Sequence, residues 1–229
     1  MAPKVLVVLS SHEKLGNTGK KTGWYLPEFA HPFYKLQGKA ELTIASPKGG
    51  AAPLDESSVQ MFTDDESTKF LKEQEALWKN TEKLSSFLGK SDQFDAVFYV
   101  GGHGPMFDLA VDKDSHQLIK EFYEDGKIIS AVCHGPVVFA DVKLSDGSFL
   151  VKDQQITGFT NEEEEQAGLT KVVPFLLETR VRDNGAKFSN TEPWGVHVVK
   201  GGKNDKMITG QNPASAGPIG EALLVALGA

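Results

Sequence analysis

Residues 126–140 read GKIISAVCHGPVVFA and contain the one cysteine of the 229-residue chain. Residues 127–132 form a short apolar, β-branched run, which is typical of a buried strand. Residues 135–139 have the composition of the first turn of a helix. Cys133 is therefore predicted at a strand-to-helix turn, where a side chain projects from the end of a sheet.

A cysteine at such a turn is a candidate nucleophile. The positive end of the following helix favours an anion, so we expect the turn to lower the pKa of the Cys133 thiol. His134, the next residue, supplies an imidazole beside the sulfur. The alternative is a buried cysteine that packs as a small apolar side chain and has no chemical role.

Apolar runs and helical periodicity alternate through the first half of the chain. Residues 4–10, 41–46 and 95–100 have the length and composition of buried parallel strands. Amphipathic patterns predict helices over residues 23–39 and 67–88 between them. This alternation predicts a three-layer, doubly wound α/β sandwich with a mostly parallel central sheet, as in flavodoxin-like and class I glutamine amidotransferase-like folds.

A glycine-rich cluster, Gly101-Gly102-His103-Gly104, follows the third of these strands. Parallel sheets bind ligands at the carboxyl ends of their strands, where Cys133 is also predicted. Because glycine has no Cβ, the backbone here can approach a ligand closely, and its N–H groups can face a developing negative charge. The alternative is an ordinary tight turn.

Carboxylates occur in two places of interest. Glu28 lies on the apolar face of the first predicted helix, so it is either a helix-edge glutamate or a buried acid that donates a hydrogen bond to a thiolate. The four glutamates at 162–165 follow Thr160 and Asn161, which are both candidate N-caps of a further helix. Such glutamates commonly compensate the helix dipole, but one of them is a candidate for orienting His134.

Shorter patterns describe the last third of the chain. Residues 148–157 are predicted to form two short strands around a turn. Residues 188–201, which contain Trp194 and His197, alternate as a half-buried strand does. Pro213 marks the start of an apolar C-terminal helix.

Composition limits the functional classes. A net charge of −7 and a pI near 5.4 argue against nucleic-acid binding and against attraction to anionic lipid. A hydrophobic content of 40% predicts a soluble globular protein, with a single domain over residues 1–229. One cysteine excludes an internal disulfide, and the apolar run at 5–9 is too short for a signal-peptide core or a membrane span. We expect a cytosolic protein, with a nuclear location left open, and small-molecule or protein partners.

The AVCHG turn, the GGHG cluster, the HPF motif preceded by a glutamate, and TGFTNEEEE together resemble the ThiJ/PfpI superfamily. The resemblance extends from KVLVVLS to NPASA. It is to the fungal heat-shock-type branch, which has glutathione-independent glyoxalase III activity. This implies a lyase of the D-lactate dehydratase type that acts on methylglyoxal and related 2-oxoaldehydes. It also implies a homodimer, D-lactate-type 2-hydroxy acids as products, and no metal or organic cofactor.

The resemblance assigns roles to individual residues. Cys133 would be the nucleophile, His134 its base and Glu164 the third member of a catalytic triad. Because the glutamates are consecutive, Glu163 is the alternative to Glu164. Glu28 corresponds to the acid that contacts the sulfur in the family.

The substrate site is predicted around the glycine cluster. The N–H groups of Gly102 and His134 correspond to the family's oxyanion site. Gly101, His103 and Trp194 complete the residues that we place against the substrate.

Other functions remain open at this stage. Relatives in the superfamily act as chaperones, for which unfolded client proteins are the partners, or as cysteine-based redox sensors. Deglycation of proteins or nucleotides would use the same thiol. Amide hydrolysis is disfavoured, since amidotransferases of this fold carry a His-x-Glu pair late in the chain, and here Val199 follows His197 at the Glu position.

Overall fold

The structure is a computed structural model, and it describes residues 2–229. The strands in this part of the chain are β1 (Lys4–Val8), β2 (Glu41–Ser46), β3 (Glu82–Lys83), β4 (Ala96–Tyr99), β5 (Ile128–Val132), β6 (Gln155–Ile156), β7 (Lys187–Phe188), β8 (Val198–Gly201) and β9 (Met207–Gly210). Seven of them form the central sheet in the order β3-β2-β1-β4-β5-β9-β8. All neighbours in this sheet are parallel except β8, which pairs antiparallel with β9 at one edge. Strands β6 and β7 form a separate parallel pair.

The α-helices flank the central sheet. Their bounds are α1 (Leu26–Leu36), α2 (Glu56–Met61), α3 (Asp65–Glu73), α4 (Glu75–Lys79), α5 (Gly104–Phe107), α6 (Lys113–Glu124), α7 (Val137–Ala140), α8 (Asn161–Gln166), α9 (Leu177–Asp183) and α10 (Ala216–Leu227). Short 3₁₀ turns complete the connections. Within residues 2–229 no helix has the length and apolar character needed to cross a membrane.

The two faces of the sheet pack into two separate hydrophobic cores. Side chains alternate along a strand, so successive residues of β1 point to opposite faces. Val5 and Val7 belong to one core, together with residues of α1 and α10. Leu6 and Val8 belong to the other, together with residues of α6 and α7. Helices therefore cover both faces, which confirms the predicted three-layer, doubly wound α/β sandwich with a mostly parallel sheet.

The long helix predicted over 67–88 is wrong. Phe70 and Trp78 are buried, as the periodicity indicated, but they belong to two short helices that meet at Gln74. Thr81 ends the helical path because its backbone N–H and its hydroxyl both bond to the carbonyl oxygen of Gly50, at 2.9 and 2.7 Å. The next two residues extend the edge of the sheet as β3.

Three other elements are shorter than predicted. The first helix covers 26–36 rather than 23–39, and Pro32 lies inside it without ending it. The segment 188–201 is mostly irregular, since only Phe188 at its start and residues 198–201 at its end pair in strands. The segment 148–157 contains one two-residue strand instead of two strands. In the two strand segments, the neighbouring strand that pairing needs is present for only part of the apolar pattern.

Candidate active site

Cys133 lies directly after β5 in a left-handed backbone conformation, with φ of 61°. Its N–H donates to the carbonyl oxygen of Gly210 at 2.9 Å, and its own carbonyl oxygen accepts from the Phe159 N–H at 2.8 Å. These bonds to neighbouring segments hold a conformation that costs a side-chain-bearing residue energy. The turn therefore projects the sulfur from the carboxyl edge of the sheet, as predicted. The helix that follows, α7, is a single turn.

A chain of polar contacts runs from the sulfur into the protein. Cys133 Sγ lies 3.5 Å from His134 Nδ1, and His134 Nε2 lies 2.7 Å from Glu164 Oε2. His134 and Glu164 are both buried. Burial and the nearby His103 lower the pKa of His134, so its imidazole is neutral and can accept a proton from the thiol.

The structure separates the two candidate glutamates. Glu164 faces His134, whereas Glu163 turns away and receives hydrogen bonds from other segments. Glu163 also completes a capping box with Thr160, which is therefore the N-cap of α8. Successive residues of a helix point about 100° apart, so two adjacent glutamates of one helix cannot face the same site.

His103 joins the same network from the glycine-rich cluster. Its Nε2 lies 2.8 Å from Glu164 Oε1, so the two oxygens of one carboxylate serve two imidazoles. The rings of His103 and His134 are 4.1 Å apart between centroids. His103 is predicted from the sequence to lie in the substrate site, but no sequence pattern predicts its hydrogen bond to Glu164.

Glu28 is fully buried on α1, which settles the choice between a helix-edge and an interior position. Burial raises the pKa of its carboxyl well above the usual range, although the Cys133 thiol and the N–H groups of Gly101 and Gly102 act in the opposite direction. Its two oxygens make no hydrogen bond of standard geometry with the described residues. Glu28 is therefore a neutral acid held beside the sulfur.

The thiol pKa differs from the sequence-based expectation. Burial raises the pKa of the Cys133 thiol well above its usual range, and the Gly102 N–H opposes this effect only in part. A one-turn helix cannot supply the dipole on which the expectation of a lowered pKa depended. The sulfur is consequently a thiol at rest, and it needs a base to become a nucleophile.

The glycines of the GGHG cluster are required by close packing. A Cβ at Gly101 would overlap the Val132 carbonyl oxygen and a carboxyl oxygen of Glu28. Gly102 has φ of +93°, a conformation that favours glycine. Its N–H acts to lower the pKa of the Cys133 thiol. The cluster also packs against the Cys133 side chain, since a Cβ at Gly101 would lie 3.0 Å from the Cys133 Cβ.

A cavity of about 450 Å³ opens onto the sulfur. Its lining includes all of the sequence-predicted site residues except Glu164, which lies behind the imidazoles, and Gly101, which lies beneath Gly102. Several apolar and aromatic residues of the cavity wall were not predicted from the sequence, among them Tyr25, Met61 and Phe159. The Phe159 ring is 4.2 Å from that of His134, and its place inside the GFTN motif is the signal that could have identified it.

Trp194 covers one side of the cavity from the irregular segment before β8. It has φ of 65° and is 46% exposed, so it is held without being buried. Its backbone N–H donates to Glu163 Oε1 at 2.8 Å and its indole Nε1–H to Gln166 Oε1 at 2.7 Å. The ring also packs against Phe159 at 5.5 Å. Helix α8 thus fixes the aromatic wall.

His103, His134 and Glu164 are the group of side chains best suited to hold a metal ion, because their ligand atoms lie within 4.8 Å of one another. In the structure each imidazole instead bonds directly to the carboxylate. An ion would have to replace both of these bonds. The arrangement fits a hydrogen-bonded network.

We expect Glu28→Gln to become more stable relative to the natural chain as the pH rises above about 4.5, the usual pKa of a glutamate. A carboxyl whose pKa is raised on folding binds more protons in the folded state, so the natural chain loses stability with rising pH in this range. Glutamine has no such dependence. Thermal unfolding from pH 4 to 8 measures the difference. A difference between the two proteins that stays constant over this range would contradict a buried, neutral Glu28.

Fold and site together place the protein in the class of doubly wound α/β proteins that carry a cysteine at a nucleophile elbow. The profile of the DJ-1/PfpI family matches residues 27–224, so the chain belongs to the DJ-1/PfpI family.

One curated protein and two solved structures are similar to this chain over nearly their whole length. Glyoxalase 3 of Candida albicans is 32% identical over 235 residues, which cover 97% of this chain and 98% of the relative. The crystal structure of glyoxalase III from Candida albicans has a TM-score of 0.87 and 31% identity, with coverage of 98% and 97%. The X-ray structure of the 24 kDa Rapid Encystment Protein of Francisella tularensis has a TM-score of 0.91 and 35% identity, with coverage of 98% and 99%.

Proposed function

We propose that the protein is a glutathione-independent glyoxalase of the glyoxalase III type. It converts methylglyoxal and related 2-oxoaldehydes to 2-hydroxy acids, with D-lactate as the product from methylglyoxal. The observation that carries the proposal is the chain of contacts from Cys133 through His134 to Glu164, at the end of a cavity that also holds a neutral Glu28. The similarity to proteins named as glyoxalases over almost the entire chain supports it.

The first step is the formation of a hemithioacetal. His134 Nδ1 takes the thiol proton as Cys133 Sγ attacks the aldehyde carbon, C1, of the substrate. The imidazolium that forms is stabilised by the Glu164 carboxylate at 2.7 Å. This timing suits a thiol whose pKa is raised by burial, because the thiolate is made only when substrate is present to receive its electron pair.

The second step shifts a hydrogen inside the bound substrate. The proton on C1 is removed, the electrons form an enediol between C1 and C2, and a proton is then added to C2. The result is a lactoyl thioester on Cys133, with no gain or loss of electrons overall. Water hydrolyses this thioester, which releases lactate and restores the thiol.

Glu28 and the backbone stabilise the negative charges that appear during these steps. A neutral carboxyl beside the sulfur donates a hydrogen bond to a thiolate or to a substrate oxygen, which an ionised carboxylate cannot do. The N–H of Gly102 acts to lower the pKa of the Cys133 thiol, as a donor to a thiolate does. The N–H of His134 bonds to no protein acceptor within residues 2–229, which leaves it free for the oxyanion of the hemithioacetal.

The redox-sensor alternative fits this site less well. Sensor cysteines are exposed and have a lowered pKa, because the thiolate is the form that is oxidised. Cys133 is 3% exposed and its pKa is raised. A thiolate that forms only while a base takes the thiol proton suits attack on a bound substrate better than oxidation of a resting thiolate.

The test is lactate formation from methylglyoxal in the absence of glutathione, with the natural chain beside Cys133→Ala. We expect lactate only from the natural chain, and stereospecific lactate dehydrogenases then identify the isomer. Lactate is measured directly because loss of methylglyoxal also follows from adducts with protein side chains. If neither protein makes lactate and both suppress the aggregation of an unfolding client equally, the chaperone function replaces the glyoxalase.

The oligomeric state belongs to the same set of measurements. We propose a homodimer, as the family resemblance implies. Sedimentation equilibrium of the natural chain tests it, and a mass of one chain over the whole concentration range would contradict it.

A further inference from the structure

The Glu164 carboxylate serves two imidazoles at once. Oε1 lies 2.8 Å from His103 Nε2, and Oε2 lies 2.7 Å from His134 Nε2. Burial raises the pKa of this carboxyl, but the two histidines outweigh that effect and lower the pKa well below its usual range. Glu164 is therefore ionised and accepts hydrogen bonds without donating any.

An ionised acceptor fixes the tautomer of both rings. Each Nε2 must carry the hydrogen that it donates to Glu164, so in a neutral imidazole the basic nitrogen is Nδ1. For His134 this nitrogen faces the Cys133 sulfur at 3.5 Å. The Nδ1 of His103 bonds to no protein group in the described chain, and the His103 ring lines the cavity.

The proposed glyoxalase reaction has two separate tasks for a base. One is to take the thiol proton during the attack and to deliver it to the C2 oxygen. The other is to remove the proton from C1 and return it to C2. A base at His134 is already protonated when the hemithioacetal forms, so it cannot remove a second proton at that moment.

We propose that His103 performs the second task, as the base that carries the proton from C1 to C2. This inference rests on the proposed glyoxalase function. The C1–H bond breaks with its proton going to His103 Nδ1, while the electron pair forms the C1–C2 double bond and the C2 oxygen takes a proton from His134. The enediolate then regains the proton from His103 at C2, and the C1 oxyanion becomes the carbonyl of the thioester, which leaves both imidazoles neutral.

The position of the ring supports this division. The two imidazole centroids are 4.1 Å apart, so both rings reach a substrate that is bonded to Sγ. His103 follows Gly102 and both line the cavity that opens onto the sulfur, so the same turn brings a backbone N–H and a base to the site. Each histidine is held by its own carboxylate oxygen, and neither needs to move between steps.

The test must separate a catalytic base from a residue that only holds Glu164 in place. His103→Gln keeps an N–H donor for Glu164 but removes the base. We expect kcat for methylglyoxal to fall by about 10²- to 10⁴-fold, while the rate of Cys133 alkylation by iodoacetamide stays within about twofold of the natural rate. The hemithioacetal should accumulate on Cys133, where mass spectrometry under non-denaturing conditions detects the added mass of one methylglyoxal.

Two controls belong with this variant. His134→Gln should slow the alkylation as well as turnover, because it removes the base of the thiol. His116→Gln, on α6, should change neither rate, since its imidazole bonds to the Ala110 carbonyl oxygen. A second variant, His103→Ala, should regain part of its lost turnover when free imidazole is added.

The outcomes are distinct. An unchanged kcat in His103→Gln would overturn the inference, and so would parallel losses of turnover and alkylation, which would make His103 a positioning residue. Absence of lactate from the natural chain would reject the glyoxalase function itself. Lactate from the natural chain and its loss in His103→Gln, with alkylation preserved, would support both.

Discussion

Cys133→Ser is expected to lose at least about 10⁴-fold in kcat/KM for methylglyoxal, since removal of the nucleophile from a catalytic triad costs about 10⁶-fold in kcat. A serine hydroxyl has a far higher pKa than a thiol, and a His134 imidazole with a lowered pKa is too weak a base to ionise it. The melting temperature should change by less than about 4 °C, since oxygen replaces sulfur without a large change in volume.

The measurement pairs initial rates of lactate formation with thermal unfolding of the same preparation. Cys133→Ala serves as the matched control, because it removes the heteroatom entirely. If the serine variant retained even a tenth of the natural rate, the sulfur would not be the nucleophile. In that event Cys133 would be a buried packing residue with no chemical role.

Glutamine substitutions at the two adjacent glutamates are expected to have different effects: loss of turnover at Glu164 and loss of stability at Glu163. Glu164→Gln should lower kcat by about 10³- to 10⁴-fold with little change in stability. A glutamine has one acceptor oxygen and one amide donor, so it cannot accept from both His103 and His134. One imidazole must then turn its hydrogen to Nδ1, and the basic nitrogen no longer faces the reaction.

Glu163→Gln should instead lower the free energy of unfolding, by about 2–4 kcal/mol. Glu163 is fully buried, and its side chain holds separate segments of the chain together. Its donors are the backbone N–H of Trp194, the side-chain amides of Gln211 and Asn212, and the backbone N–H and hydroxyl of Thr160. An amide group in place of one oxygen would face these donors with its own hydrogens.

Denaturant unfolding and steady-state kinetics of the two variants, measured side by side, test the pair. For Glu163→Gln we expect kcat within about tenfold of the natural value and a higher KM, because the Trp194 wall is loosened while the imidazoles stay in place. The reverse pattern, with turnover lost at 163 and stability lost at 164, would exchange the two assignments.

The layout of the fold follows from local patterns in the sequence. Residues 5–8 and 128–132 form runs that are apolar on both faces. Such runs are expected of a parallel strand that is covered by helices on both sides. Parallel strands bring their carboxyl ends to one edge, so Cys133 and the GGHG cluster are expected to meet there. The structure brings them together, since a Cβ at Gly101 would lie 3.0 Å from the Cys133 Cβ.

The features that could not be predicted from local sequence depend on segments that are distant along the chain. The thiol pKa is set by burial under segments remote in sequence, including Phe159 and Glu28, and no property of the CHG turn reveals it. The helix expected over 67–88 gives way to an edge strand because Gly50 offers a partner to Thr81. The choice between Glu163 and Glu164 depends on the rotation of α8, which is fixed by the Thr160 cap and the Trp194 segment.

The run of four glutamates also has a consequence for comparing sequences. A shift of one position within EEEE leaves net charge, helix propensity and every identity score nearly unchanged. It nevertheless exchanges an acid that faces two imidazoles for one that holds a loop. Residue correspondences across this family are therefore safer when they are anchored on the capping threonine, Thr160, and counted forward from it, than when they are read from the acidic run itself.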